Sequence, residues 1–213
     1  IMKKNFPQLI IVLLIIVNGY MFFKFKNKDQ ENQSLTGKVK TTDKLLLDFK
    51  EKLINDFIIG KESENLNLPP LLKLVNLKGD TVLVKDVFTK NSIVLRYSVL
   101  NCGECVDAEF EVIKNNAKLF SEELVIITYY ERIRGLINMY RKLEKMGLKK
   151  LKIYMVPDDK LGIPIDKYNI PSYFHIDKNL KMTNFFIPDK MNAKLSEAYL
   201  KLTLRNFFNK KIN

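Results

Sequence analysis

Residues 92–113 read SIVLRYSVLNCGECVDAEFEVI and hold both cysteines of the chain, Cys102 and Cys105, as a single Cys-x-x-Cys. The run Ile93, Val94, Leu95 before them is continuous and apolar, as in a strand buried on both faces. After them Val106, Phe110, Ile113, Ala117 and Phe120 recur at helical spacing. Cys102 therefore falls where a strand ends and a helix begins. At such a point the unpaired N–H groups and the positive end of the helix dipole stabilise a thiolate. The i, i+3 spacing places Cys105 one turn further in, where more burial is expected. Two thiols so placed can cycle between dithiol and disulfide with little backbone change. Cys102 attacks a partner disulfide, and Cys105 resolves the mixed disulfide.

Other readings compete. A structural zinc site takes four ligands, and with two cysteines and one histidine, His175, Cys and His alone cannot close one within the chain. A copper site of Cys102, Cys105 and His175 is the weaker metal reading, because His175 sits mid-strand in SYFHI (residues 172–176), a common place for a structural histidine. Two inert thiols are the third. The redox reading calls for no metal and no cofactor.

The same patterns extend outward. Residues 42–60 carry Leu46, Phe49, Leu53 and Phe57 at helical spacing, with Thr42 or Asp43 as a cap and Gly60 as an end. Pro69 and Pro70 break helix, and two β-rich runs flank the turn Lys78-Gly79-Asp80. LVIITYY (124–130) and LKIYMV (151–156) are further strands. Between them Ile133, Leu136, Ile137, Tyr140 and Leu143 mark a helix that Gly147 terminates. SYFHI and MTNFFI (182–187) flank the turn Asp177-Lys178-Asn179. Met191, Leu195, Ala198 and Leu202 mark a last helix. Strands alternating with helices predict parallel pairing in the middle, and the tightly joined last pair predicts antiparallel pairing.

The chain is 46% apolar and 28% charged, which excludes a disordered chain. Its net charge of +12 comes from scattered lysines without a nucleic-acid-binding motif, so no nucleic-acid partner is expected. The densest basic run, residues 141–152, reads as a helix C-terminus whose cations offset the dipole. Residues 1–24 begin with Lys3 and Lys4 and continue through an apolar run to Phe23. A signal peptide has such a start, but Val17-Asn18-Gly19 is a poor cleavage site. The favoured reading is an uncleaved signal-anchor with Tyr20, Phe22 and Phe23 at the interface. That puts the remainder on the exported side, periplasmic or extracytoplasmic, where disulfides persist; the alternative is secretion after cleavage. Residues 25–67 then form a polar tether and the amphipathic helix, and residues 68–213 form the catalytic domain.

Strand, Cys-x-x-Cys, helix and the later YNIPSYFHIDKNLKM (168–182) together resemble the thioredoxin superfamily. The hairpin of residues 74–88 and the N-terminal segment narrow the likeness to membrane-tethered TlpA/ResA-type thiol–disulfide oxidoreductases, which share features with peroxiredoxins of the AhpC/TSA type. The resemblance implies an α/β, thioredoxin-like fold: a central mixed sheet flanked by helices, with an N-terminal β-hairpin extension. It implies that Cys102 and Cys105 are catalytic. It also implies that Ile170 and Pro171 take the place of the family's cis-proline loop and bind the substrate. The partners implied are protein thiols or disulfides and an upstream redox protein. This chain departs from the family at Asn101, where an aromatic residue is usual, and at Gly103-Glu104, which lacks the usual proline. Arg96 stands where many thioredoxins have a buried acid. Glu104 is expected to raise the thiolate pKa and Arg96 to lower it. Val99 stands where a peroxiredoxin needs Thr or Ser, which disfavours peroxidase chemistry. A non-catalytic binding module with a static disulfide is the alternative function.

Overall fold

The computed structural model describes residues 6–101, 103–120, 122–149, 151–158 and 160–210, with backbone alone at 6–12 and 15. It divides into two compact units, Ile1–Leu53 and Ile54–Asn213. Helix α1 (Phe6–Ser63) makes up the described part of the first unit and runs into the second. The stretch 24–40, expected as a tether, is helical: five of its seventeen residues are lysine and it contains no proline. Thr42 is not a cap either. Thr36, Thr41 and Thr42 donate to the carbonyls of Asn32, Gly37 and Lys38 one turn back, as mid-helix threonines do. Gly60 does not end the helix: it lies against Phe185, where a Cβ would come within 3.4 Å of the Phe185 Cβ. Among the described residues no helix is long and apolar enough to cross a membrane. Residues 1–5 of the expected anchor lie outside the described residues.

In the second unit seven strands form one sheet among the described residues. They are β1 (Lys73–Val75), β2 (Thr81–Leu83), β3 (Ser92–Ser98), β4 (Leu124–Tyr129), β5 (Lys152–Met155), β6 (Ser172–Ile176) and β7 (Met182–Phe186). Their order is β2-β1-β5-β4-β3-β6-β7. β3, β4 and β5 pair in parallel, as their crossover helices require, and β6 and β7 are antiparallel. The hairpin β1–β2 adds antiparallel to β5 through Val75 and Met155. Gly79, at φ +89°, supplies the left-handed residue of its turn. The second β-rich run ends sooner than expected and folds into the single helical turn α2 (Val84–Val87).

β3 is buried along its whole length because both faces of the sheet are covered. Ile93, Leu95 and Tyr97 point into a core shared with α3 (Gly103–Asn115), α4 (Ile133–Lys145) and α5 (Ala193–Phe208). Val94 belongs to the opposite core with Val125 and Phe174, covered by Val84, Phe88 and the segment carrying Leu161, Ile163 and Ile165. Phe88, Phe110 and Phe174 are fully buried; truncating any of them to Ala costs roughly 3–5 kcal/mol.

The core face of α5 differs from the expected one. Met191 is 84% exposed, and Leu195 and Leu202 are exposed as well. Ser196, Tyr199, Leu200, Thr203 and Leu204 are buried instead. The two polar residues on this face have partners. Ser196 donates to Glu109, and the Thr203 hydroxyl accepts from the Asn184 side chain.

Candidate active site

β3 runs straight into the Cys-x-x-Cys. Ser98 ends the strand and Gly103 opens α3, with Cys105 in the helix's first turn. Asn101 shapes the turn after Ser98. Its Oδ1 accepts from the Ser98 N–H at 2.6 Å, its own N–H donates to the Ser98 carbonyl at 2.9 Å, and the Ser98 hydroxyl accepts from the Leu100 N–H. The residue that stands in place of the family's aromatic is therefore a turn-former. Val99 and Leu100 are left exposed at the tip. Cys102 lies outside the described residues. Cys105 is half-buried in the first turn of α3.

Glu104 is exposed in the same turn, where a carboxylate suits the positive end of the helix. It pairs with Lys190 at 2.8 Å. The hydrogen bond from that ammonium, and then its charge, hold the Glu104 carboxyl below its ordinary value. Its negative charge is thus partnered rather than left bare beside the thiols.

Arg96 is buried on β3. Its Nε donates to Asp166 Oδ1 at 3.1 Å and its Nη1 donates to the Tyr97 carbonyl. Asp166 Oδ2 accepts from the Leu161 N–H at 2.5 Å. Burial pushes the Asp166 carboxyl up, and the Arg96 charge beside it pulls the other way. The cation that sequence places under the dithiol is therefore balanced by an acid seventy residues on. Asp166 gave no periodic or motif signal. The only pointer was that a charge on a buried strand needs a counter-charge.

Asp166 lies in the 3-10 turn Pro164–Tyr168, which ends at Asn169 in the left-handed region (φ 49°). From there the chain enters β6, where Ser172 pairs with Arg96, so Pro171 stands one step beyond that pair. Arg96, Asn101, Asp166, Asn169 and Ile170 line one small cavity. Ile170 is half-buried and Pro171 buried. The structure thus brings Arg96, Asn101 and Ile170 to the same end of β3. One expectation is corrected: among the described residues every peptide bond is trans, that before Pro171 included. The left-handed Asn169 makes the reversal, and trans is the ordinary preference of an X–Pro bond.

On the other side of the turn a groove of about 440 Å³ opens from Asn101 and Gly103 toward α4. Val106, Phe110 and Met139 contribute apolar lining. Tyr97 and Tyr130 meet edge-on with their hydroxyls 3.4 Å apart, and Lys142 bridges to Asp107 across the mouth at 2.6 Å. Burial raises both tyrosine pKa values. Gly135 is required here, because a Cβ would stand 2.6 Å from the Tyr130 ring.

Glu109, one turn beyond Cys105 on α3, is buried. Its Oε1 accepts from the Ser196 hydroxyl at 2.9 Å. Tyr173 lies beside it, yet neither Glu109 Oε2 nor the Tyr173 hydroxyl reaches hydrogen-bond geometry among the described residues. Burial raises the Glu109 pKa. Sequence pattern missed it because a glutamate on a helix reads as a solvated position.

His175 sits at the other end of β6, opposite Ile93. It shares a 3.0 Å hydrogen bond with Thr183 and stacks on Phe207. His175 thus stands five strand positions from Ser98, where β3 ends. Among the described residues no cluster of three His, Cys, Asp or Glu side chains could hold a metal.

No protein-family model matches the sequence, and no curated protein does. Solved structures do match. The solution structure of a candidate protein disulfide isomerase from Bacteroides thetaiotaomicron superposes with a TM-score of 0.50 at 14% identity, over 68% of this chain and 90% of that one. Peroxidoxin BcpB from Mycobacterium tuberculosis gives 0.48 at 10% identity, over 66% and 97%. The exposed lipoprotein thioredoxin Etrx1 of Streptococcus pneumoniae gives 0.41 at 20% identity, over 61% and 97%. At these identities the likeness speaks to the fold alone. The fold is thioredoxin-like, as the sequence resemblance implies.

Proposed function

We propose that this thioredoxin-like chain is a thiol–disulfide oxidoreductase of the TlpA/ResA type that exchanges disulfides with extracytoplasmic proteins. The observation that carries the reading is the position of the Cys-x-x-Cys. Ser98 ends β3 and Gly103 opens α3, with Cys105 in its first turn, and Ile170 lines a small cavity with Asn101 at that end of β3. The Cys102 thiolate attacks one sulfur of a substrate disulfide, forming a mixed disulfide and releasing the other sulfur as a thiolate. The Cys105 thiolate then attacks the Cys102 sulfur and releases the second substrate thiolate. The substrate gains two electrons and the enzyme leaves as the disulfide. A dithiol protein upstream restores it. The backbone at Ile170 and Pro171 holds the substrate strand beside the sulfurs. Val99 and Leu100, exposed beside Asn101, offer the substrate an apolar surface. The N-terminal segment tethers the chain to a membrane, with the second unit on the exported side.

Equilibration of the full chain in glutathione buffers, with insulin disulfide reduction as the activity readout, tests this. Reversible two-electron cycling is expected, with activity lost in Cys102→Ser. Cys105→Ser is expected to accumulate mixed disulfides. A disulfide that does not cycle, with Cys102→Ser indistinguishable from wild type, would leave a static binding module as the function.

A further inference from the structure

The redox site leaves the first unit unexplained. Its described side chains are exposed from residue 13 to 53, although many are large and apolar. Between residues 24 and 53 they follow a heptad. Taking Phe25 as an a position, the a and d positions include Phe25, Leu35, Val39, Leu46, Phe49 and Leu53. These six are 42–64% exposed. A seam repeating every seven residues buries itself only against another helix of the same period. The segment spans about four heptads and, at the rise of an α-helix, roughly 45 Å.

The polar residues in and beside the seam say which helix that is. Asn32 occupies an a position, where an asparagine facing its own copy favours two parallel strands in register. Most of the flanking g and e positions carry charge, Thr36 and Leu45 being the exceptions. In a parallel pair each g residue faces the e residue five positions on in the partner helix. Lys24 then faces Asp29, and Lys38 faces Asp43. Both contacts are attractive, and each occurs twice in a symmetric dimer. An antiparallel pair centred on the same segment would set Lys24 against Lys52, Lys38 against Lys38 and Asp29 against Asp43. Lys28 and Thr42, at d positions, cost stability, although a lysine can lift its head out along its aliphatic stem.

We propose that residues 24–53 form a parallel, in-register, two-stranded coiled coil with a second copy of this chain. The chain then works as a dimer with two thioredoxin-like units. The proposal rests on the seam and its charges and is independent of the redox reading.

The test uses the full chain in mild detergent, with both native cysteines replaced by serine. Leu46→Cys, in the seam, is compared with Asp48→Cys, two positions away on the outer face, under a mild oxidant. Sedimentation equilibrium follows Lys38→Asp and the double variant Lys38→Asp/Asp43→Lys. The expected results are a dimer, rapid cross-linking of Leu46→Cys but not of Asp48→Cys, dimerisation weakened about tenfold by Lys38→Asp, and recovery in the double variant. A monomer at micromolar concentration, equal cross-linking at both positions, or indifference to Lys38→Asp would each overturn the proposal. Circular dichroism of each variant confirms that the helix is retained.

Discussion

Arg96 and Asp166, seventy residues apart, form a buried ion pair with Nε and Oδ1 at 3.1 Å. It ties the segment that delivers Ile170 to the strand that delivers the dithiol. Removing one partner of such a pair leaves an uncompensated charge, at a cost of roughly 3–5 kcal/mol. Asp166→Ala is expected to destabilise the fold by about that much in urea denaturation. Asp166→Asn, which keeps an acceptor for the Leu161 N–H, is expected to cost less. Equal midpoints for Asp166→Ala and wild type would show that the pair contributes nothing.

Glu109 links stability to pH. Burial raises its folded-state pKa above the ordinary 4.5. From about pH 4.5 up to the raised value, the folded state therefore holds a proton that the unfolded state has lost. Stability contributed by this group falls as pH rises through that window and is level above it. Asp166 carries a slope of the same sign, so the informative quantity is the difference between variants. Glu109→Gln is expected to be nearer to wild type in stability at pH 4 than at pH 7, and more stable relative to wild type at pH 7. A difference independent of pH would mean that Glu109 titrates normally.

Lys190 pairs with Glu104, the acid inside the Cys-x-x-Cys. With Lys190→Met the Glu104 carboxylate loses the ammonium at 2.8 Å. The Cys102 thiol is then expected to titrate higher, while Glu104→Gln moves it lower. The pH dependence of alkylation rate reads both. Shifts of the same sign in the two variants would contradict the pairing.

Gly135→Ala places a methyl group against the Tyr130 ring. Overpacking of this kind costs about 1–3 kcal/mol. Because Tyr130 lines the groove beside the turn, peptide disulfides are expected to suffer in KM more than in kcat. A small disulfide with no side chain to seat there is expected to be processed as before.

Much of this was legible in the chain. Ile93-Val94-Leu95 announced the central strand because burial on both faces leaves no alternation to misread. The turn at residues 177–179 announced the antiparallel pair. Long-range polar matches were not legible. Met191 lies before α5 begins and Leu195 and Leu202 face outward from it, while Ser196 and Thr203 face inward because Glu109 and Asn184 are there to meet them. Periodicity weighs each side chain alone and cannot see a partner on another element. Arg96 stands out as a charge on an apolar strand, but Asp166 lies in a 3-10 turn with no period to betray it.

The last turn of α1 sets where the chain can be cut. The Ser63 hydroxyl accepts from the buried Ile165 N–H, Glu62 pairs with Lys167, and Glu64 accepts from the Asn184 N–H. A truncated protein beginning at Leu68, the first residue that looks like part of the domain, would orphan that amide. It would also strip the outer brace from the segment holding Asp166 and Ile170. A soluble fragment that begins at or before residue 54 keeps that brace. Low activity in a shorter fragment would report damage at the proline side of the site, with both cysteines intact.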